Sequence, residues 1–306
     1  MKKRRIELEE LLNYLGADVL KVQGEVKGLY VDHLADATHV DETTLDWVNP
    51  AKENKQQIAE GSPAKVVLVD ETVVYTDRMK KDGKLLISLK YPKVALAIVG
   101  NHFFMEHPEP GIHPTVQIAP EAKIGKNVTI GPYTVVGNAI IGDGCVIDTH
   151  VRIYDDVVMG NGCNIKAGAV LGGAGFGFEK DEEGNRFRFP QIGGLILGDD
   201  VEVGANTCID RGALSDTVIG NHTKINNLCH IAHNNQIGRN VVVAGCVNIS
   251  GSCVIEDYVW ISPNVSLRGF NHLGEGCIVG TGAVVTKDIP VGETWVGNPA
   301  RRLEKK

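Results

Sequence analysis

The chain has 306 residues, 43% of them hydrophobic, and its 31 Lys and Arg against 38 Asp and Glu leave a net charge of −7. The one basic run, Lys2 to Arg5, is too short to clamp a phosphate backbone, which argues against a nucleic-acid partner. No apolar stretch reaches membrane-spanning length, and the acidic helix formers Glu7, Glu9 and Glu10 stand where a secretory leader would be apolar, so the cytoplasm is the expected compartment.

From the N-terminus, Leu8, Leu11, Leu12 and Leu15 fit an amphipathic helix stopped near Gly16. Lys65 to Val69 and Leu85 to Leu89 read as buried strands, and Pro92 opens a helix running through Phe104. Residues 1–106 are therefore expected to form a small α/β domain, and His107-Pro108-Glu109-Pro110-Gly111 a linker over 107–111.

A six-residue period begins at Ile112. It passes through Ile118, Ile124, Ile130 and Val136, slips by one residue, and resumes at Ile141, Ile147, Ile153, Met159, Ile165 and Leu171. From Ile219 it runs through twelve aliphatics without a miss to Val285. Neither a helix nor a simple strand has a period of six; hexapeptide β-helix repeats do, with one aliphatic per short strand pointing inward. The predicted solenoid domain covers 112–295, with an inserted loop over 172–194 and a short cap over 296–306. The insertion carries Phe176, Phe178, Phe187 and Phe189 around the turn-forming Asp181 to Gly184, which predicts a projecting hairpin. Its aromatics serve either as an apolar wall for an acyl chain or as packing against the solenoid. A second insertion, of four residues, lies between Asp210 and Thr217; its Asp210-Arg211-Gly212 reads first as a corner ion pair and second as a substrate contact.

None of the seven cysteines is spaced as C-x-x-C. Cys145, Cys163, Cys229, Cys253 and Cys277 each fall four residues after a ladder aliphatic and are expected to fill the core as small apolar groups, so no metal is assigned to them. His113, His150 and His222 take outward positions. His230 and His272 take the last place of their hexads, where they line a common groove in the expected arrangement, and His230 with His233 lacks the third histidine of a zinc site.

Three strands make a coil of eighteen residues, which puts Gly251 one coil above His233. An imidazole beside an approachable backbone N–H suits acyl transfer: the base takes the proton of the attacking group and the amide stabilises the oxyanion.

Four segments, Gly175-Phe176-Gly177-Phe178, Pro190-Gln191-Ile192-Gly193, Ile209-Asp210-Arg211-Gly212 and Ile231-Ala232-His233-Asn234, in this order and at these spacings, resemble the UDP-3-O-acylglucosamine N-acyltransferase family of lipid A biosynthesis. Val48-Asn49-Pro50, with Trp47 before it, resembles that family's uridine-binding segment. The resemblance implies a left-handed parallel β-helix, a homotrimer, a UDP-amino-sugar acceptor and an acyl carrier protein donor, with no metal or redox cofactor. It implies His233 as general base and Gly251 as oxyanion donor, and it assigns Asn49, Trp47, Asn226, His230, Asn234, Phe176, Phe178 and Gln191 to substrate binding. The ending Val296-Gly297-Asn298-Pro299-Ala300 instead resembles acetyl-CoA-dependent sugar acetyltransferases, which leaves an acyl-CoA as the second donor. A β-helix paralogue that binds a nucleotide-sugar without turning it over is the alternative outside the enzymes.

Overall fold

The computed structural model describes residues 3–106 and 108–304, so His107 of the expected linker lies outside the described residues. The chain divides into two compact units, residues 1–107 and 108–306, each taken here by itself.

The N-terminal unit is a four-stranded sheet in the order Val19–Gln23, Leu85–Leu89, Val66–Val69, Leu45–Trp47, in which only Val19–Gln23 is antiparallel. The strands Val66–Val69 and Leu85–Leu89 are buried along their whole length, as continuous apolar runs in a largely parallel sheet require. Leu8, Leu11 and Leu15 pack one face of the helix Leu8–Leu15 into the core, and Gly16 ends it at a positive φ of 51°. The helix expected from Pro92 to Phe104 is α-helical only over Pro92–Val99; a π-helical turn, Gly100–Phe104, completes it.

The second unit is a parallel β-helix. Its two- to four-residue strands stack into three sheets of 11, 9 and 8 strands, each strand pairing with the strand one coil earlier and one coil later. The first face carries Ile130, Ile147, Ile165, Val203, Ile225, Val243, Ile261 and Val279, the second Val136 through Ile153, Leu171, Ile209, Ile231, Ile249 and Leu267 to Val285, and the third Ile141 through Ile219, Ile237 and Ile255 to Leu273. From Ile130 onward every ladder residue is at most 3% exposed, and burying each such side chain contributes roughly 1.5–3 kcal/mol. The first rung differs: Ile112 is 48% exposed because no coil precedes it. At the other end Thr294–Val296 adds to the first face and pairs antiparallel with Arg301–Arg302.

The five ladder cysteines are buried beneath the corners. The Cys253 thiol donates to the Arg268 carbonyl at 3.3 Å, and burial pushes the Cys253 thiol up and the Cys277 thiol up to about 12, so these two remain protonated packing groups. The projecting hairpin forms as two antiparallel strands, Phe178–Lys180 and Arg186–Arg188.

Candidate active site

The corner that follows Ile231 on the second face presents His233. Because the repeat is regular here, His230 pairs with Asn248 and Ile231 with Ile249, and the next coil's corner brings Gly251 directly against the imidazole. A Cβ added at Gly251 would lie 2.7 Å from His233 Cε1 and 2.9 Å from Nε2, so any side chain here would displace the imidazole. The Gly251 N–H donates no hydrogen bond among the described residues and is free for a ligand.

The tautomer of His233 follows from its neighbour. Asn234 Oδ1 accepts from the Ala213 N–H at 3.0 Å, and Asn234 Nδ2 donates to the Ser215 carbonyl and hydroxyl, which fixes the orientation of the amide. His233 Nδ1, 3.0 Å from Asn234 Oδ1, therefore carries the proton, and Nε2, the nitrogen beside Gly251, keeps its lone pair. The polar groups of Asn234, expected to bind substrate, are thus engaged with His233, Ala213 and Ser215.

Asn235, fully buried, ties the two corners together. Its Nδ2 donates to the Ala232 carbonyl at 2.7 Å and the Ser250 carbonyl at 3.1 Å, while Oδ1 accepts from the Cys253 N–H at 3.0 Å, clamping the turn that contains Gly251.

The two insertions meet at this corner. Ile192 and Gly193 donate to the Ala213 carbonyl, Gly212 donates to Gly194, and Arg211 donates from its backbone to Gly173. At Gly212 an added Cβ would fall 1.6 Å from the Ser215 carbonyl, which is why glycine stands at this crossing. The expected Asp210–Arg211 corner pair is not formed. The Arg211 guanidinium instead bonds Asp156 Oδ2 and the Gly193 carbonyl, both at 2.6 Å, and leaves Asp210 facing the other way.

A hollow of about 260 Å³ results, lined by Phe176, Asp210, His230, His233, Asn248, Ser250 and Gly251 together with Ala232. Phe176, 84% exposed, meets Phe178 edge to face at 4.9 Å, and the Arg188 guanidinium lies over the Phe178 ring. His230 Nε2 stands 3.8 Å from Asp210 Oδ2. Burial pushes the Asp210 carboxyl above its ordinary value, opposed by the positive charge that His230 and His233 can carry. Ala232, Asn248 and Ser250 are residues of the hollow that sequence reasoning did not assign to substrate, and Asp210 was a substrate contact only in the second of its two readings.

Other expected site residues do not line the hollow. Gln191 packs beneath the glycine-rich loop, close to Gly175 and Gly177, and its Nε2 donates to the Phe189 carbonyl. Asn226 sits at the corner after the first face, where its side chain accepts from the Asn227 N–H. His272, expected to share a groove with His230, is on the third face and bonded to Glu256 Oε1 at 2.8 Å: each hexad belongs to a different face, so equal places in two hexads need not meet. In the N-terminal unit, Asn49 is exposed and its side chain accepts from the Ala51 N–H, while Lys93 lies over the Trp47 ring at 5.7 Å. Among the described residues no group of three His, Cys, Asp or Glu side chains is placed to hold a metal ion.

Repeat, solenoid and corner site define a hexapeptide-repeat protein with a left-handed parallel β-helix. The bacterial transferase hexapeptide family matches over residues 138–173 and 252–287. The chain is similar to proteins named UDP-3-O-acylglucosamine N-acyltransferase: that of Caulobacter sp. (strain K31), 45% identical over 48% of this chain and 43% of the relative, and that of Pseudomonas syringae pv. syringae, 41% identical over 60% of this chain and 59% of the relative. It thus spans about half the length of the curated relatives it matches. Among solved structures it resembles the UDP-N-acetylglucosamine O-acyltransferase of Moraxella catarrhalis (29% identity, TM-score 0.57, 63% of this chain and 73% of that one) and the UDP-N-acetylglucosamine acyltransferase of Bacteroides fragilis (30%, 0.57, 63% and 74%).

Proposed function

We propose that this protein is an acyltransferase that moves an acyl group from a thioester to the amine of a UDP-linked amino sugar. The observation that carries this reading is the juxtaposition of His233 Nε2 with the unbonded Gly251 N–H. In this mechanism His233 takes a proton from the amine as nitrogen attacks the thioester carbonyl, and the Gly251 N–H stabilises the resulting oxyanion. Collapse breaks the C–S bond, and the proton held by His233 passes to the departing thiolate. The steps need neither metal nor redox cofactor.

The donor is an acyl carrier protein or acyl-CoA thioester, and Phe176 and Phe178 offer it an apolar wall. The N-terminal unit is read as the nucleotide-binding part, with Trp47 and Asn49 for the base. A homotrimer in the cytoplasm completes the reading. Ile140 and Val158, exposed and paired on adjacent coils of the third face, support a partner copy, and among the described residues no helix is long and apolar enough to cross a membrane.

The test is transfer to a UDP-amino-sugar from carrier-protein and CoA thioesters, with the His233→Ala variant alongside. Turnover with one donor, lost by roughly 10²-fold or more in the variant, is the expected outcome. Transfer from neither donor leaves a binding protein without turnover, and undiminished transfer in the variant removes His233 from the role of base.

A further inference from the structure

The Asp210 side chain is 14% exposed and opens into the hollow beside His233. Its carboxylate accepts no hydrogen bond among the described residues. His230 Nε2 stands 3.8 Å away, beyond hydrogen-bond reach, and the adjacent Arg211 is drawn off to Asp156 and Gly193. This orientation is built in: the register shifts between Leu171 and Gly173, so Gly173 pairs with Asp210, and the four-residue insertion begins immediately after. A largely desolvated carboxylate without a donor costs free energy that a ligand N–H recovers.

Resting on the acyl-transfer reading above, we propose that Asp210 receives the amine of the acceptor, so that the site selects an amino sugar over the same sugar bearing a hydroxyl. An ammonium brings both a positive charge and N–H donors to the carboxylate; a hydroxyl brings one neutral donor. The protons balance. Of the three on the bound ammonium, His233 passes the first to solvent before attack. It removes the second as the C–N bond forms and the C–S bond breaks, and delivers it to the thiolate. The third stays in the product amide, donated to Asp210.

The experiment is calorimetric titration of the wild-type protein, Asp210→Asn and Asp210→Glu with UDP-glucosamine and with UDP-glucose. The wild type is expected to bind the amino sugar on the order of 10- to 100-fold more tightly, the effect of one charge-assisted hydrogen bond. In Asp210→Asn that preference falls to within about threefold while UDP-glucose affinity is kept, and Asp210→Glu restores part of it. A preference that survives in Asp210→Asn, or an equal loss for both sugars, overturns the assignment. Equal binding of both sugars by the wild type overturns it and leaves acyl transfer standing, whereas binding of neither sugar removes the UDP-sugar acceptor reading as well.

Discussion

Two stretches of the solenoid meet at His233 and contribute in opposite ways. From Ile219 to Val285 the coils repeat without an inserted residue, and that regularity sets the His233–Gly251 contact: the same corner recurs one coil higher, at the separation of paired parallel strands. From Gly172 to Thr217 the repeat is broken twice, and the breaks supply what a bare prism lacks, an aromatic flank at Phe176, a carboxylate at Asp210 and a brace for Asn234. Regular coils fix a distance, and irregular ones shape the space around it.

The largest expected effect comes from breaking the regular side. Gly251→Ala drives a methyl group into the His233 ring, and kcat for acyl transfer should fall roughly 10²–10³-fold while the circular dichroism of the solenoid is unchanged. Asn235→Ala tests the clamp between the same two corners. It leaves the Ala232 carbonyl and the Cys253 N–H without their partner and the Ser250 carbonyl with the Cys253 thiol alone, and denaturant unfolding should show a loss of about 1–3 kcal/mol. The smallest effect belongs to the irregular side. The two hairpin strands Phe178–Lys180 and Arg186–Arg188 pair only with each other, so replacing residues 181–185 by a two-residue Asn-Gly turn should move stability by less than about 0.5 kcal/mol. A large loss there would show that the tip holds up the coils, and the division between the two stretches would have to be redrawn.

The ladder was legible because each rung repeats the same demand. An inward aliphatic every six residues is visible without any knowledge of neighbours, and eighteen-residue counting stays valid as long as nothing is inserted, which is how Gly251 is found from His233. The same count fails across the insertions. Cys208 pairs with His230 at a separation of 22 residues, and Leu171 with Ile209 at 38, so Asp210 lies beside Ala232 and His233 where the undisturbed count would put it beside Leu228. For the same reason Asp210 and Arg211 read as a pair: adjacency in sequence was visible, and the turn that sends their side chains to opposite sides was not. Asn234 and Gln191 were found as motif residues, but a motif cannot distinguish a side chain that meets a ligand from one that holds up the side chain that does. The N-terminal unit showed its buried strands in continuous apolar runs, whereas the π-helical end of its last helix has no signature in composition.

The backbone bonds joining residues 192–194 to residues 212–213 have a consequence for protein engineering and for descent. Although 172–194 and 210–217 are separate in the chain, each supplies hydrogen-bond partners that the other has no substitute for. They form one unit of exchange: a chimera that moves the hairpin into another solenoid must carry Asp210 to Thr217 with it, and a lineage that loses one insertion has no use for the glycine at 212.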